Sequence, residues 1–226
     1  MSNTVQPKLR GNASIAVDAL RQLIFSGELS AGSQHLETEL ALRLGMSRTP
    51  IREACLVLQS QGLVEVRARR GIRILPIAIS DMAEIYDVLT ALESMATAQA
   101  ASRGLSDGDL AVLEDSIADM EAALAAKDRD AWADADDCFH AELVRLSGNT
   151  RVMSIVALMG DQVRRAKSMT LYMRPLPLQS NKDHRSVLEA IRNQDAKLAE
   201  SIHKAHRIAA KETLIALLTQ NRMHTL

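Results

Sequence analysis

Between residues 12 and 75 the apolar positions recur first with a helical period and then with a strand period. Ile15, Ala19 and Leu23 mark one face of a helix from Asn12 to Ser26, closed by Gly27. Leu36 to Leu44 predicts a second helix, stopped at Gly45 in a tight turn. In a third, Ile51, Cys55 and Leu58 stand at i, i+4 and i+7, so they line one side, while Arg48, Thr49, Arg52, Gln59 and Ser60 fall on the other. Ser47 or Thr49 can cap this helix, and Pro50 suits its first turn, where no intrahelical N–H bond is lost. After Gly62, Leu63–Val66 and Ile72–Leu75 predict two short strands around the basic turn Arg67 to Gly71. Two helices in a tight turn with a basic hairpin beside them form a winged helix-turn-helix, expected over residues 1–75, with a polar arm at residues 1–11.

Pro76 to Ser80 is read as a linker, with Ser80 as the N-cap of the next helix. From 81 to 226 the pattern is helical throughout, which predicts an all-α bundle of six helices and a mainly α chain. They are expected from Asp81 to Arg103, Asp107 to Lys127, Ala131 to Ser147 and Thr150 to Met173, then from Ser180 to about Gln194 and Asp195 to about Gln220. Ser106 with Asp109 has capping-box spacing, and Gly148-Asn149 suits a left-handed stop.

Charge sharpens this division. The 226 residues carry a net charge of −1, which points to no partner by itself. Residues 1–76, however, hold ten Lys and Arg against six Asp and Glu, a net of +4, and the remaining 17 against 22 give −5. A basic module on an acidic body suits a duplex-facing domain joined to one that stays off DNA. Aromatic residues are only 2% of the chain, too few for a platform that stacks single-stranded bases. Cys55 and Cys138 lie in helical patterns and are expected to be small buried hydrophobes, neither a disulfide nor a metal pair. No apolar run approaches the roughly 20 residues of a membrane span, and Met1-Ser2-Asn3-Thr4 opens no signal-peptide core, so a cytoplasmic location without membrane contact is expected.

Two arginines one turn apart at the start of an amphipathic helix are what a major-groove reader needs, because each guanidinium can fork onto guanine or phosphate while the apolar side stays in the core. The run Gly45-Met46-Ser47-Arg48-Thr49-Pro50-Ile51-Arg52-Glu53-Ala54, with Gly27-Glu28-Leu29 and Gly62-Leu63-Val64 through Arg70-Gly71, resembles the GntR family of bacterial transcription regulators. The resemblance implies DNA contacts from Thr38, Ser47, Arg48, Thr49, Arg52, Arg70 and Gly71. It also implies a homodimer on a near-palindromic double-stranded operator, acting as a repressor. Leu56 and Val57 depart from the often polar residues at those places, and Leu56 falls on the DNA-facing side.

In the bundle, Asp136 and His140 are i, i+4 on one helix and share a stripe. His184 is expected in the first turn of the fifth helix and His206 midway along the sixth. One carboxylate and three imidazoles from three helices can build a bundle metal site, and such donors suit zinc, nickel, manganese or iron. The segments Asp136 to Leu143 with Gly148-Asn149, Asp183 to Ile191, and Asp195 to His206 resemble the FCD ligand domain of FadR-like GntR regulators. That resemblance implies Asp136, His140, His184 and His206 as ligands of a divalent metal ion, zinc favoured, and a small organic acid as effector. His203, one turn from His206, is the alternative last ligand; His35 and His224 are read as surface residues. Relatives carry an arginine three residues before the Leu92-Glu93 pair as a carboxylate clamp, and here that position is Leu89. A metal-dependent hydrolase or oxygenase with an appended DNA-binding module is the other reading. Its weakness is the missing general base: Glu142, two residues past His140, points roughly 160° away from it on a helical wheel.

Overall fold

The computed structural model describes residues 11–221. Residues 1–10 of the expected arm (1–11) and His224 lie outside them, and Gly11 opens the first helix. The chain forms two compact units, one reaching to Ile77 and the other beginning at Ala78.

In the first unit α1 (Gly11–Phe25), α2 (Glu37–Arg43) and α3 (Arg48–Ser60) surround a small sheet of β1 (Gln34–His35), β2 (Val64–Arg67) and β3 (Gly71–Ile74). The strands lie in the order β1-β3-β2, all antiparallel, with Glu65 opposite Arg73 and Val66 opposite Ile72. Strand β1 was not legible in the sequence: two residues are too few to show an alternation, and only pairing with β3 defines them. That pairing passes close to Gly71, which has φ +77°, and a Cβ there would stand 2.1 Å from the His35 carbonyl oxygen. The core joins Val17, Leu20 and Ile24 of α1 to Leu40 of α2, Ile51, Cys55 and Leu58 of α3, and Ile72 and Ile74 of β3. Ser47 is the N-cap of α3 by its extended backbone, but its hydroxyl makes no cap hydrogen bond and is left for another partner.

The second unit holds α4 (Ile79–Ala101), α5 (Asp107–Ala126), α6 (Arg129–Leu146), α7 (Thr150–Thr170), α8 (Leu178–Arg192) and α9 (Ala196–Gln220), with a 3-10 turn at Leu171–Met173. Several ends match their expected caps. Ser106 and Asp109 make a reciprocal capping box, and the Asp195 carboxylate accepts from the Leu198 N–H at 2.9 Å. Others are corrected. Helix α4 is capped at Ala78, not Ser80, because Ala78 is the last extended residue and its carbonyl accepts from the Met82 N–H. Helix α8 begins at Leu178 after Pro177, not at Ser180: proline has no N–H to lose at that boundary. Helix α6 opens two residues before Ala131, where the Asp128 carboxylate accepts from the Ala131 N–H at 2.9 Å. Phe139, Leu113, Ile117, Met120, Leu188 and Ile191 form the centre of this unit's core. Cys55 is buried as expected, but Cys138 is exposed, since it falls on the outer face of α6 between inward-facing Ala135 and Phe139.

Candidate functional site

Helix α3 buries Ile51, Ala54, Cys55 and Leu58, which turns Arg48, Thr49, Arg52 and Leu56 outward. Among the described residues, neither the Arg48 nor the Arg52 guanidinium donates a hydrogen bond to protein or joins an ion pair. Thr38 and Ser47 are also exposed, as is Arg70 in the wing turn, whereas Gly71 is half-buried under β1. The helix and wing are tied together: the Gln59 side-chain carbonyl accepts from the Val66 N–H at 2.7 Å. Arg67 is committed to Glu65 at 2.7 Å. Arg69, exposed in the same turn with φ +62°, is a further basic group that the motif did not single out.

In the helical unit Asp136 and His140 of α6, His184 of α8 and His206 of α9 each offer a ligand atom, and these atoms lie within 4.8 Å of one another. Asp136 turns Oδ1 to His184 Nε2 at 3.5 Å and to His140 Nε2 at 3.7 Å. His184 stands in the second turn of α8, since the helix starts at Leu178, and Phe139 packs against its ring at 4.4 Å between centroids. It is 1% exposed, yet among the described residues neither ring nitrogen has a hydrogen-bond partner. A buried polar group left unpaired is costly, and a cation accepting the imidazole lone pair removes that cost. The donor set therefore fits a divalent metal ion.

His203 is not part of that set. Its Nε2 lies 3.3 Å from Glu93 Oε2, and Glu93, His140 and His203 form a second cluster sharing His140. The two nitrogens of His140 divide the work: Nδ1 lies 3.3 Å from Glu93 and Nε2 faces Asp136. A carboxylate on the far nitrogen of a ligating histidine sets its tautomer and the direction of its lone pair. Glu93 is also 3.5 Å from Arg207 Nε, whose guanidinium lies over the Tyr86 ring at 4.8 Å. The Arg207 guanidinium balances the buried charge of Glu93, so this carboxylate can support His140 from its far nitrogen. Lys167 does the same for Asp136, with Nζ 2.6 Å from Asp136 Oδ2 and 2.6 Å from Asp137 Oδ1. Leu89, where the resemblance leads one to expect an arginine, is buried, and a buried guanidinium reaches Glu93 from Arg207 on α9.

Electrostatics keep the donors in ligating form. Burial alone would raise the Asp136 carboxyl, but the Lys167 ammonium and the imidazoles around it hold it well below the carboxylate range. Glu93 is treated likewise: burial opposes its charge, and Arg207 with His140 and His203 overrides it. Burial pushes the imidazoles of His184, His206 and His203 down, the last to about 4, so they are neutral at neutral pH, as metal ligation requires. Lys167 and Glu93 had no signal in sequence spacing, because each meets the cluster from another helix, α7 and α4; His203 was legible only as an alternative last ligand. Glu142, by contrast, is paired with Arg145 at 2.6 Å.

A winged helix with an exposed arginine pair, joined to a helical unit with an inward-facing Asp/His cluster, points to a class of DNA-binding regulators. Residues 12–74 match the bacterial regulatory proteins of the gntR family, and residues 84–209 match the FCD domain. The chain belongs to the GntR family of bacterial transcription regulators, in the group that carries an FCD domain, and these are regulators, not enzymes. It is 40% identical over 136 residues, 59% of this chain and 80% of the relative, to an HTH-type regulator of the TAR-I ttuE-ttuC′ intergenic region in Agrobacterium vitis. It is 30% identical over 198 residues, 88% of this chain and 86% of the other, to a protein of Paenarthrobacter nicotinovorans described as a "Probable D-xylose utilization operon transcriptional repressor". In fold it is similar to McbR/YncC of E. coli, with a TM-score of 0.78 at 21% identity over 95% of this chain and 100% of that one. Among the described residues no helix is long and apolar enough to cross a membrane.

Proposed function

We propose that the chain is a repressor that binds a near-palindromic operator as a homodimer and leaves it when a small organic acid reaches a metal in the helical unit. Arg48 and Arg52 read base edges, Thr38, Ser47 and Thr49 hold register on the backbone, and the wing's Arg70 and Gly71 reach the adjacent minor groove. Two reader helices enter successive major-groove faces about one turn apart. Repression is supported by likeness to the P. nicotinovorans protein, whose description names it a repressor.

The observation that carries the sensing half is the buried cluster itself. Asp136, His140, His184 and His206 hold the metal, of which zinc suits the three imidazoles and one carboxylate best. A bound divalent ion supplies a Lewis-acidic point of attachment for the acid's carboxylate. The rest falls to this chain's side chains. Lys167 keeps Asp136 ionised and aimed, and Glu93 orients His140. Glu93 lies on α4, the helix that directly follows the DNA-binding unit in the chain, so a change at the cluster reaches that helix in one contact. A coupling of about 1–3 kcal/mol gives roughly 5–150-fold release.

Selection from a random duplex pool by the zinc-loaded protein, with and without candidate organic acids, tests this reading. An imperfect palindrome whose recovery falls with one acid is the expected result. An enriched sequence indifferent to every acid and to zinc removal would leave a DNA-bound protein that senses nothing.

A further inference from the structure

Leu56 is the one large apolar side chain of α3 that the core leaves exposed. It is 51% exposed, whereas Val57 beside it packs on the cluster around Ile51 and Leu58. These are the two places in the helix where the resemblance leads one to expect polar residues. Packing accounts for Val57 and leaves Leu56 without a partner in its own unit.

Its direction is set by the helix. At 100° per residue Leu56 stands roughly 150° from the mean direction of the buried Ile51, Ala54, Cys55 and Leu58. It lies about 40° from Arg52 and about 20° from Thr49, so it is nearer the middle of the outward face than either arginine. The turn that carries it is fixed from both sides. Cys55 and Leu58 are locked in the core, and Gln59 accepts from the Val66 N–H of the wing at 2.7 Å.

A single exposed leucine is ordinary on a protein surface, and its neighbours are what give this one a partner. Arg52 and Thr49 share its face and are outward and exposed. Phosphates offer nothing to an uncharged apolar side chain, and Glu53, exposed three residues before it, carries a charge that they repel. The floor of the major groove displays one apolar group, the C5-methyl of thymine. From this placement we infer that Leu56 determines specificity by reading a thymine methyl in each half-site of the operator. The inference rests on the DNA-binding reading above and adds a base contact made without hydrogen bonds. Leu56 is about 6 Å further along α3 than Arg52, which is about two base-pair steps. The thymine therefore lies within about three base pairs of the base that Arg52 reads.

The operator selected by the full-length protein is rebuilt with deoxyuridine for each thymine in turn, which removes the methyl and keeps the base pairing. At one position per half-site the replacement should weaken the parent about fourfold, as expected for one methyl group taken out of an apolar contact. Leu56→Met, apolar and of similar volume, should keep that sensitivity. Leu56→Gln, a good helix former of similar length, should bind the thymine and deoxyuridine versions alike at that position. Its stability and its affinity for random duplex should stay at the parent level. The sensitive thymine should fall within about three base pairs of the position whose preference Arg52→Ala relaxes. The inference is overturned if no thymine is sensitive, or if Leu56→Gln discriminates as the parent does, which gives the methyl to another residue. Parental discrimination by Leu56→Gln together with a changed oligomeric state in sedimentation gives the side chain to a second copy of the chain instead. A protein that selects an operator, loses it on Arg52→Ala and ignores every methyl keeps the DNA-binding reading and loses the role of Leu56. One that selects no sequence loses both.

Discussion

Gly71 shows how packing alone can require glycine at a position in the wing. With φ +77° and a carbonyl 2.1 Å from where a Cβ would sit, any side chain there must push β1 away from β3. Gly71→Ala is expected to destabilise the winged unit by about 1–3 kcal/mol, seen as a lower denaturant midpoint with or without DNA. The two cysteines separate just as sharply. Cys138 is exposed and should react at once with a thiol reagent under native conditions, whereas buried Cys55 should react only in denaturant. Burial, with Glu37 assisting, pushes the Cys55 thiol up to about 12 from 9.0. Its folded-state value lies above the unfolded one, so the thiol's stabilisation is complete below pH 9 and is lost as the pH rises from 9 toward 12. The loss approaches about 1.4 kcal/mol per pH unit. Denaturation of the parent and of Cys55→Ala across that range should show a steeper alkaline loss in the parent than in the variant.

Among the elements, α3 was the most legible, because its period, its proline and its arginines are local properties. Its inward and outward faces fall as the spacing of Ile51, Cys55 and Leu58 demands. Since Arg52 is exposed and free of protein partners among the described residues, Arg52→Ala should leave stability unchanged. It should cost about 1–3 kcal/mol on the selected operator and far less on random duplex, as read by titrations at one salt concentration. Equal losses on both, with a reduced salt slope, would make Arg52 a phosphate contact. Leu56 stands exposed one turn beyond Arg52, where an apolar side chain can meet a thymine methyl. Helix starts were read less well wherever backbone conformation outranked a side-chain cap, as at Ala78 and Pro177.

At the scale of the whole molecule the cluster lies entirely within the helical unit, so a metal bound there stabilises that unit through mass action. Zinc at about 100 times its dissociation constant should add about 2.7 kcal/mol. In calorimetry the transition of the helical unit should move up with zinc and back with a chelator, and His184→Ala should abolish the shift. An unmoved transition in the parent would remove the metal from the account.

The amino-acid sequence by itself determined the helices, the two faces of α3 and the i, i+4 pairing of Asp136 with His140, because each depends on neighbours within one or two turns. It also carried the basic reader helix and the acidic body. Tertiary structure alone decided that His203 lies beside Glu93, that Lys167 and Glu93 flank the donors, and that Arg207 brings a buried cation to Glu93. These residues meet across helices, and which side chains meet is set by how the helices pack and rotate against one another. No local period along the chain records that.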